Sequence, residues 1–127
     1  LSRYSSGWLR GGGIQITNSP DVTVIDNTVV NSLNGIIGLQ AAGYYDGKHG
    51  ASELRNLLVQ GNTVVMPRGQ SGIATDTGSN AVFDSWNNRF INNRFQTSSA
   101  APFQWKGRNV SEAEWKAGPG KTDTITR

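Results

Sequence analysis

Short apolar runs of alternating polarity, each closed by Asn, Gly, Asp, Ser or Pro, recur along this chain. Val-Ile-Asp-Asn-Thr-Val around Asn27, Val-Gln-Gly-Asn-Thr-Val around Asn62 and Phe-Ile-Asn-Asn-Arg-Phe around Asn93 are near-copies of one phrase, apolar-x-x-Asn-x-apolar. A second phrase alternates with it: Gly13-Ile14-Gln15-Ile16, Gly35-Ile36-Ile37-Gly38, Gly72-Ile73-Ala74-Thr75 and, more loosely, Pro102-Phe103-Gln104-Trp105. A basic turn of about 22 residues, lengthened twice by excursions of about 15 and about 8, fits all four copies. The runs are rich in Val, Ile, Thr and Phe and alternate with a period of two, which predicts strands. Helical periodicity is nearly absent before residue 110.

One turn reads as three strands: 14–17, a corner at 18–21, 22–25, a sharp bend at Asp26-Asn27, 28–30, and a second corner at 31–34. Three strands per coil, all turning one way, predict an all-β parallel β-helix of about 3–4 coils. Successive coils stack about 4.8 Å apart. Ile14, Ile36, Ile73 and Phe103 are expected to form one buried column. Val24, Val59 and Phe90 form a second, and Val29, Val64 and Phe95 a third, because one coil cannot bury its own face. Asn27, Asn62 and Asn93 are read as structural, holding a left-handed bend and bonding one another along the stack.

The run Gly-Ile-Gln-Ile-Thr-Asn-Ser-Pro-Asp-Val-Thr-Val-Ile-Asp-Asn-Thr-Val (13–29) resembles repeats of right-handed parallel β-helix proteins of the pectate-lyase-like superfamily, over about residues 11–105. The resemblance implies a right-handed coil and a polysaccharide bound along its outer face. It does not choose among lyases, hydrolases, epimerases, esterases and phage tailspikes. The polygalacturonase motifs, the calcium cluster and Arg-x-Pro-x-x-Arg phrase of pectate lyases, and an Asp-Pro-His epimerase motif are missing from the 127 residues.

The chain divides into coils over 1–106, with an insertion loop at 41–53, and a C-terminal cap over 107–127. Ser111 and Glu114 have capping-box spacing, and Gly118 is a stop, so a short helix begins after Ser111. With Phe103, Trp105 and Trp115 it folds over the last coil, a Phe-x-Trp-(x)9-Trp ending similar to that of some bacterial β-helix proteins. The same Ser111 completes an Asn109-Val110-Ser111 glycosylation triplet and is better read as the cap. Residues 1–12 read as part of an incomplete coil anchored by Tyr4 and Trp8. The open end of the first coil is expected to be covered by additional coils, a second copy or another chain.

Alternation puts Gln15, Ile37, Ala74 and Gln104 on the outer face, followed by Thr17, Leu39, Asp76 and Lys106. Asp76 is expected to neighbour Lys106 on the next coil. Ile37 and Leu39 imply a cover, and the loop at 41–53 is placed to supply it. That loop holds Tyr44, Tyr45, Asp46, Lys48 and His49, the chain's single His. Tyr stacks on sugar rings, His transfers protons near neutral pH, and Lys48 or Arg55 neutralises a uronate carboxylate. His49, Asp76 and Lys48 are therefore the catalytic candidates; Tyr44, Tyr45, Asp46, Arg55, Gln104 and Lys106 are the substrate-binding ones. The bland alternative is a surface loop whose tyrosines pack on Ile37 and Leu39. Arg89 and Arg94, with Arg68, suggest an outward basic stripe.

The remaining composition refines the picture. There is no cysteine, so no disulfide framework or thiolate site forms, and no acidic cluster suggests calcium. No metal or cofactor is expected. A net charge of +3 and a pI near 9.6 favour an acidic partner such as a uronic-acid polymer, with no nucleic-acid motif and no membrane-spanning run. The expected setting is extracellular or the cell surface. Two readings stand beside a polysaccharide lyase, epimerase or hydrolase: a non-catalytic structural or assembly module, and a stable fragment whose active site lies on other coils.

Overall fold

The computed structural model describes residues 11–43, 47, 48 and 50–127. The strands are β1 (Gly12–Thr17), β2 (Thr23–Ile25), β3 (Thr28–Val29), β4 (Asn34–Gln40), β5 (Leu58–Gln60), β6 (Thr63–Val65), β7 (Ser71–Thr75), β8 (Arg89–Ile91), β9 (Arg94–Gln96), β10 (Phe103–Trp105), β11 (Arg108–Val110) and β12 (Thr124–Thr126). Two short helices, α1 (Ala81–Asp84) and α2 (Glu112–Ala117), complete the order.

The strands sort into three sheets by their place in the coil. The first runs β1-β4-β7-β10-β11, the second β2-β5-β8, and the third β3-β6-β9-β12. Every pairing is parallel except β10 with β11. The chain is thus a parallel β-helix of about three turns. In the second sheet Val24, Val59 and Phe90 stand in register, and in the third Val29, Val64 and Phe95 do. All six are buried, so each column is a stack of side chains sheltered by its neighbours above and below.

In the first sheet Ile14 lies beside Ile36 as expected, but the next two pairings, β4 with β7 and β7 with β10, are each shifted by two residues. Gly38, not Ile36, lies beside Ile73, and Phe103 lies beside Ser71. A shift of two keeps every side chain on its own face. Gly38 makes room: a Cβ there would sit 2.8 Å from Leu54 Cδ2 and 3.1 Å from Ile73 Cγ1. The Ser71 hydroxyl, buried in the expected apolar column, accepts from Ile36 N at 3.0 Å and donates to Met66 Sδ.

The bends are built differently from expectation. The left-handed residues are Asp26 (φ 56), Gly61 (φ 68) and Asn92 (φ 54), each one place before the repeated Asn. That frees Asn27, Asn62 and Asn93 to bond along the axis. Asn62 Oδ1 accepts from Asn27 N and Nδ2 at 2.8 and 3.1 Å, and Asn93 Oδ1 accepts from Asn62 N and Nδ2 at 3.1 and 3.0 Å. Asp123 supplies the fourth rung, its Oδ1 accepting from Asn93 N and Nδ2 at 2.8 and 3.1 Å.

Both excursions leave the same corner, between the first and second sheets: 41–57 after β4 and 76–88 after β7, the latter carrying α1. A second, exposed ladder runs along this corner. Asp21, Asn56 and Asn87 are left-handed, and Asn56 Nδ2 donates to Asp21 Oδ1 and Asn87 Nδ2 to Asn56 Oδ1.

The far end is closed by the cap. Ser111 is the N-cap of α2, its Oγ accepting from Glu114 N at 3.2 Å. Trp115, fully buried, stacks on Phe103 with centroids 4.2 Å apart and meets Phe90 and Trp105 edge-on. The tail then returns as β12 beside β9, adding a fourth strand to the third sheet. A segment with one apolar residue, Ile125, gave no strand signal; backbone pairing to β9 makes it one.

Candidate functional site

Of the catalytic candidates, Asp76 and Lys48 fall among the described residues and His49 does not. Asp76 is exposed at the end of β7, and its Oδ1 accepts from Ala42 N at 2.8 Å, tying the start of the 41–53 loop to the sheet. Asn18 pins the same point from the other side, accepting from Ala41 N at 2.7 Å and donating to Ala41 O. Lys48 is exposed in a tight turn where Gly47 and Gly50 exchange backbone hydrogen bonds. Tyr44, Tyr45, Asp46 and His49 lie outside the described residues, as do Tyr4 and Trp8. Ile37, Leu39 and Ala74 form a buried cluster of their own on the outer face of the first sheet. Gln40 holds the returning end of the loop, accepting from Leu54 N and donating to Ser52 O.

Lys106 does not meet Asp76. Its Nζ lies 2.7 Å from Asp84 Oδ1, because the two-residue shift moves it off the level of Asp76 and toward α1. Arg55 bonds Glu53 through Nε and Nη2 and lies over the Trp86 ring at 4.7 Å. Its charge is already answered there, on the corner of the excursions. The three arginines form no stripe. Arg89 sits in the second sheet and bonds Asn56 and Asn87, Arg94 sits in the third, and Arg68 stands at the turn between β6 and β7.

Gln104 takes part in the concave feature with the most consistent chemistry. An open groove of about 730 Å³ follows the other corner, where the third sheet passes into the first. Its walls include Leu33, Arg68, Gln70, Ser99, Gln104 and Asn109. These residues come from successive levels of the coil. At about 4.8 Å per level, the groove follows the axis for about 14 Å.

Local structure fixes most of the walls. Gln70 N donates to Asn34 Oδ1 and Gln70 Nε2 to Ala101 O. Ser99 Oγ accepts from Ala101 N, and Ser99 O accepts from Arg127 Nη1. Gln104 and Asn109 face each other across the β10–β11 hairpin, whose turn is left-handed at Lys106 and Gly107. Beside Gln104 on the next strand is Gly72, which leaves the sheet bare there. Leu33 is 55% exposed and gives the groove an apolar wall. Arg68 is exposed and has no acidic partner among the described residues, unlike Arg55, Lys106, Arg108 and Arg127. The groove therefore offers one guanidinium without an acidic partner among the described residues, four side-chain amides (Asn34, Gln70, Gln104 and Asn109) and a hydroxyl.

Among the described residues two carboxyl groups have shifted affinities for protons, and neither lines the groove. Burial pushes the Asp123 carboxyl above the usual aspartate range, against the opposing pull of hydrogen bonds from Asn93 and Trp115. The hydrogen bond from Arg108 holds Glu114 below the usual glutamate range. Among the described residues no group of three His, Cys, Asp or Glu is placed to hold a metal ion, and no helix is long and apolar enough to cross a membrane.

Comparison with protein-family models, curated proteins and solved structures finds no match to the chain. Of the groove residues, the sequence singled out Gln104 for its place on the outer row and Arg68 for its charge. Leu33, Gln70 and Ser99 carried no signal, since they fall in corner segments of separate coils, and Asn109, on β11, had drawn notice only through the glycosylation triplet.

Proposed function

We propose that this chain is a coil segment of the pectate-lyase-like β-helix type, and that it binds an acidic polysaccharide in the groove at the corner between the third and first sheets. The observation that carries the reading is Arg68, a guanidinium without an acidic partner among the described residues, set in a groove of amides. A guanidinium takes a carboxylate in a fixed fork geometry, and a uronate supplies one per sugar. Gln70, Gln104 and Asn109 offer both donors and acceptors, which matches sugar hydroxyls. Leu33 gives an apolar wall for a sugar face. The net charge of +3 favours approach of a polyanion. Such a ligand fits an extracellular or cell-surface setting.

Binding without cleavage is the form of the reading that the geometry favours. Asp76 is engaged by the backbone of the loop, and Lys106 and Arg55 are each paired with a carboxylate. The test is calorimetric titration with oligogalacturonate and oligoguluronate, with neutral gluco-oligosaccharides as controls. The acidic ligands bind and the neutral ones do not. Arg68→Ala weakens binding by roughly 10- to 100-fold, the loss of one charged hydrogen-bonding group. His49→Ala binds like the parent. Equal binding of neutral and acidic ligands would overturn the proposal, as would uronan turnover that His49→Ala abolishes.

A further inference from the structure

The interior ladder has a direction. At each level Oδ1 accepts the N–H and Nδ2 groups of the Asn before it. Each internal Asn also sends Nδ2 back to a carbonyl of the preceding coil: Asn62 to Val24 O at 2.8 Å and Asn93 to Val59 O at 2.9 Å. One end of the ladder is finished. Asp123 has acceptors on both oxygens, and the second takes Trp115 Nε1 at 2.9 Å.

Among the described residues the other end is open. Asn27 is exposed, whereas Asn62 and Asn93 are each 1% exposed. Asn27 Oδ1 accepts from no described residue. Its Nδ2 bonds Ile25 O of its own coil at 3.2 Å, where Asn62 and Asn93 reach back a coil. The backbone beside it has no described strand on that side either. Leu58 N donates to Val22 O and Thr63 N to Asn27 O, one coil back. Their counterparts in register, Thr23 N and Thr28 N, lie on β2 and β3, which are edge strands of their sheets among the described residues.

These groups specify a partner. It must bring an N–H pair for Asn27 Oδ1, a carbonyl for Asn27 Nδ2, and strand carbonyls for Thr23 N and Thr28 N. One segment chemistry supplies all of them: strand, bend with Asn, strand, in parallel register. We infer that the β2–β3 edge is a docking surface for a polypeptide segment carrying the apolar-x-x-Asn-x-apolar phrase, added as a further coil. A second copy docking edge to edge presents the same acceptor, Asn27 Oδ1, and not the Asn N–H pair that the ladder requires. This inference is independent of the polysaccharide reading, since the groove lies on the side of the solenoid and this surface on its end.

The test adds a peptide with the sequence of residues 57–65, Leu-Leu-Val-Gln-Gly-Asn-Thr-Val-Val, to the intact chain, and follows amide exchange residue by residue. The peptide binds one to one, slows exchange at Thr23 and Thr28, and shifts the Asn27 side-chain amide resonances. A peptide with Asn62→Leu binds roughly tenfold more weakly, having lost the side-chain rung to Asn27 Oδ1 while keeping the backbone one. Equal protection by both peptides would overturn the inference, as would no protection at millimolar peptide. Protection of the same amides in a dimer of the chain alone would assign the surface to a second copy and overturn it too.

Discussion

Replacing Asn62 by Ala should cost far more than replacing Asn27, although both occupy the same place in the repeat. The Asn62 side chain makes four hydrogen bonds: two accepted from Asn27, one given to Val24 O and one given to Asn93 Oδ1. It is 1% exposed, so water cannot replace them. At about 1 kcal/mol each, their loss costs about 4 kcal/mol. The Asn27 side chain makes two bonds, both in exposed surroundings or shared with Asn62, and Asn27 N keeps its acceptor in the variant. About 1 kcal/mol is expected there. For a chain of this length each kcal/mol moves Tm by roughly 3–4 °C. Asn62→Ala should therefore lower Tm by about 12–16 °C and Asn27→Ala by about 3–4 °C. Urea unfolding followed by circular dichroism gives the same order independently. Equal losses in the two variants would refute the reasoning, because they would show that the asparagines serve the bend and not the stack.

Three further outcomes follow from the packing. The Asp123 carboxyl is held above the usual aspartate range, so its contribution to stability is fully present below about pH 3.9 and is lost as pH rises through the raised value; the stability of the parent relative to Asp123→Asn should fall between about pH 4 and neutrality, and a pH-independent difference would contradict it. Trp115→Ala opens the cap where the indole stacks on Phe103 and should cost about 3–5 kcal/mol, measured by urea unfolding; a loss under about 1 kcal/mol would mean that the cap is not packed this way. Gly38→Ala drives a Cβ against Leu54 and Ile73 and should cost about 1–3 kcal/mol by thermal unfolding, while a neutral effect would argue for the register in which Ile36 meets Ile73.

The parts of the fold carried by repetition were legible in the sequence. Val24–Val59–Phe90 and Val29–Val64–Phe95 could be aligned because each flanks an Asn, and no insertion separates the flanking residues. In the first sheet the phrase itself is out of step with the coil: Gly38 follows Val29, and Ile73 follows Val64, by the same nine residues. Two registers then bury the same face, and the phrase Gly-Ile was matched to Gly-Ile where packing matches Ile73 to Gly38. The bend illustrates a different limit. Asn tolerates left-handed backbone, yet the residue before it takes that conformation, and the choice depends on hydrogen bonds between coils. The fourth rung, Asp123, is invisible to an Asn pattern. It is an Asp because Trp115 Nε1 needs a second acceptor, which an amide nitrogen would not provide. The site was less legible still: a groove made from a few corner residues per coil has no motif, and charge alone did not show that Arg68, among the described residues, has no carboxylate beside it as Lys106 and Arg55 do.

The most direct measurement is a chemical-shift map of the chain titrated with a defined oligogalacturonate. A contiguous set of shifts is expected at Arg68, Gln70, Ser99, Gln104 and Asn109, with the Arg68 guanidinium resonance moving most and the whole set collapsing in Arg68→Ala. Shifts confined to the loop at 41–53 and Asp76, with the groove unmoved, would contradict it.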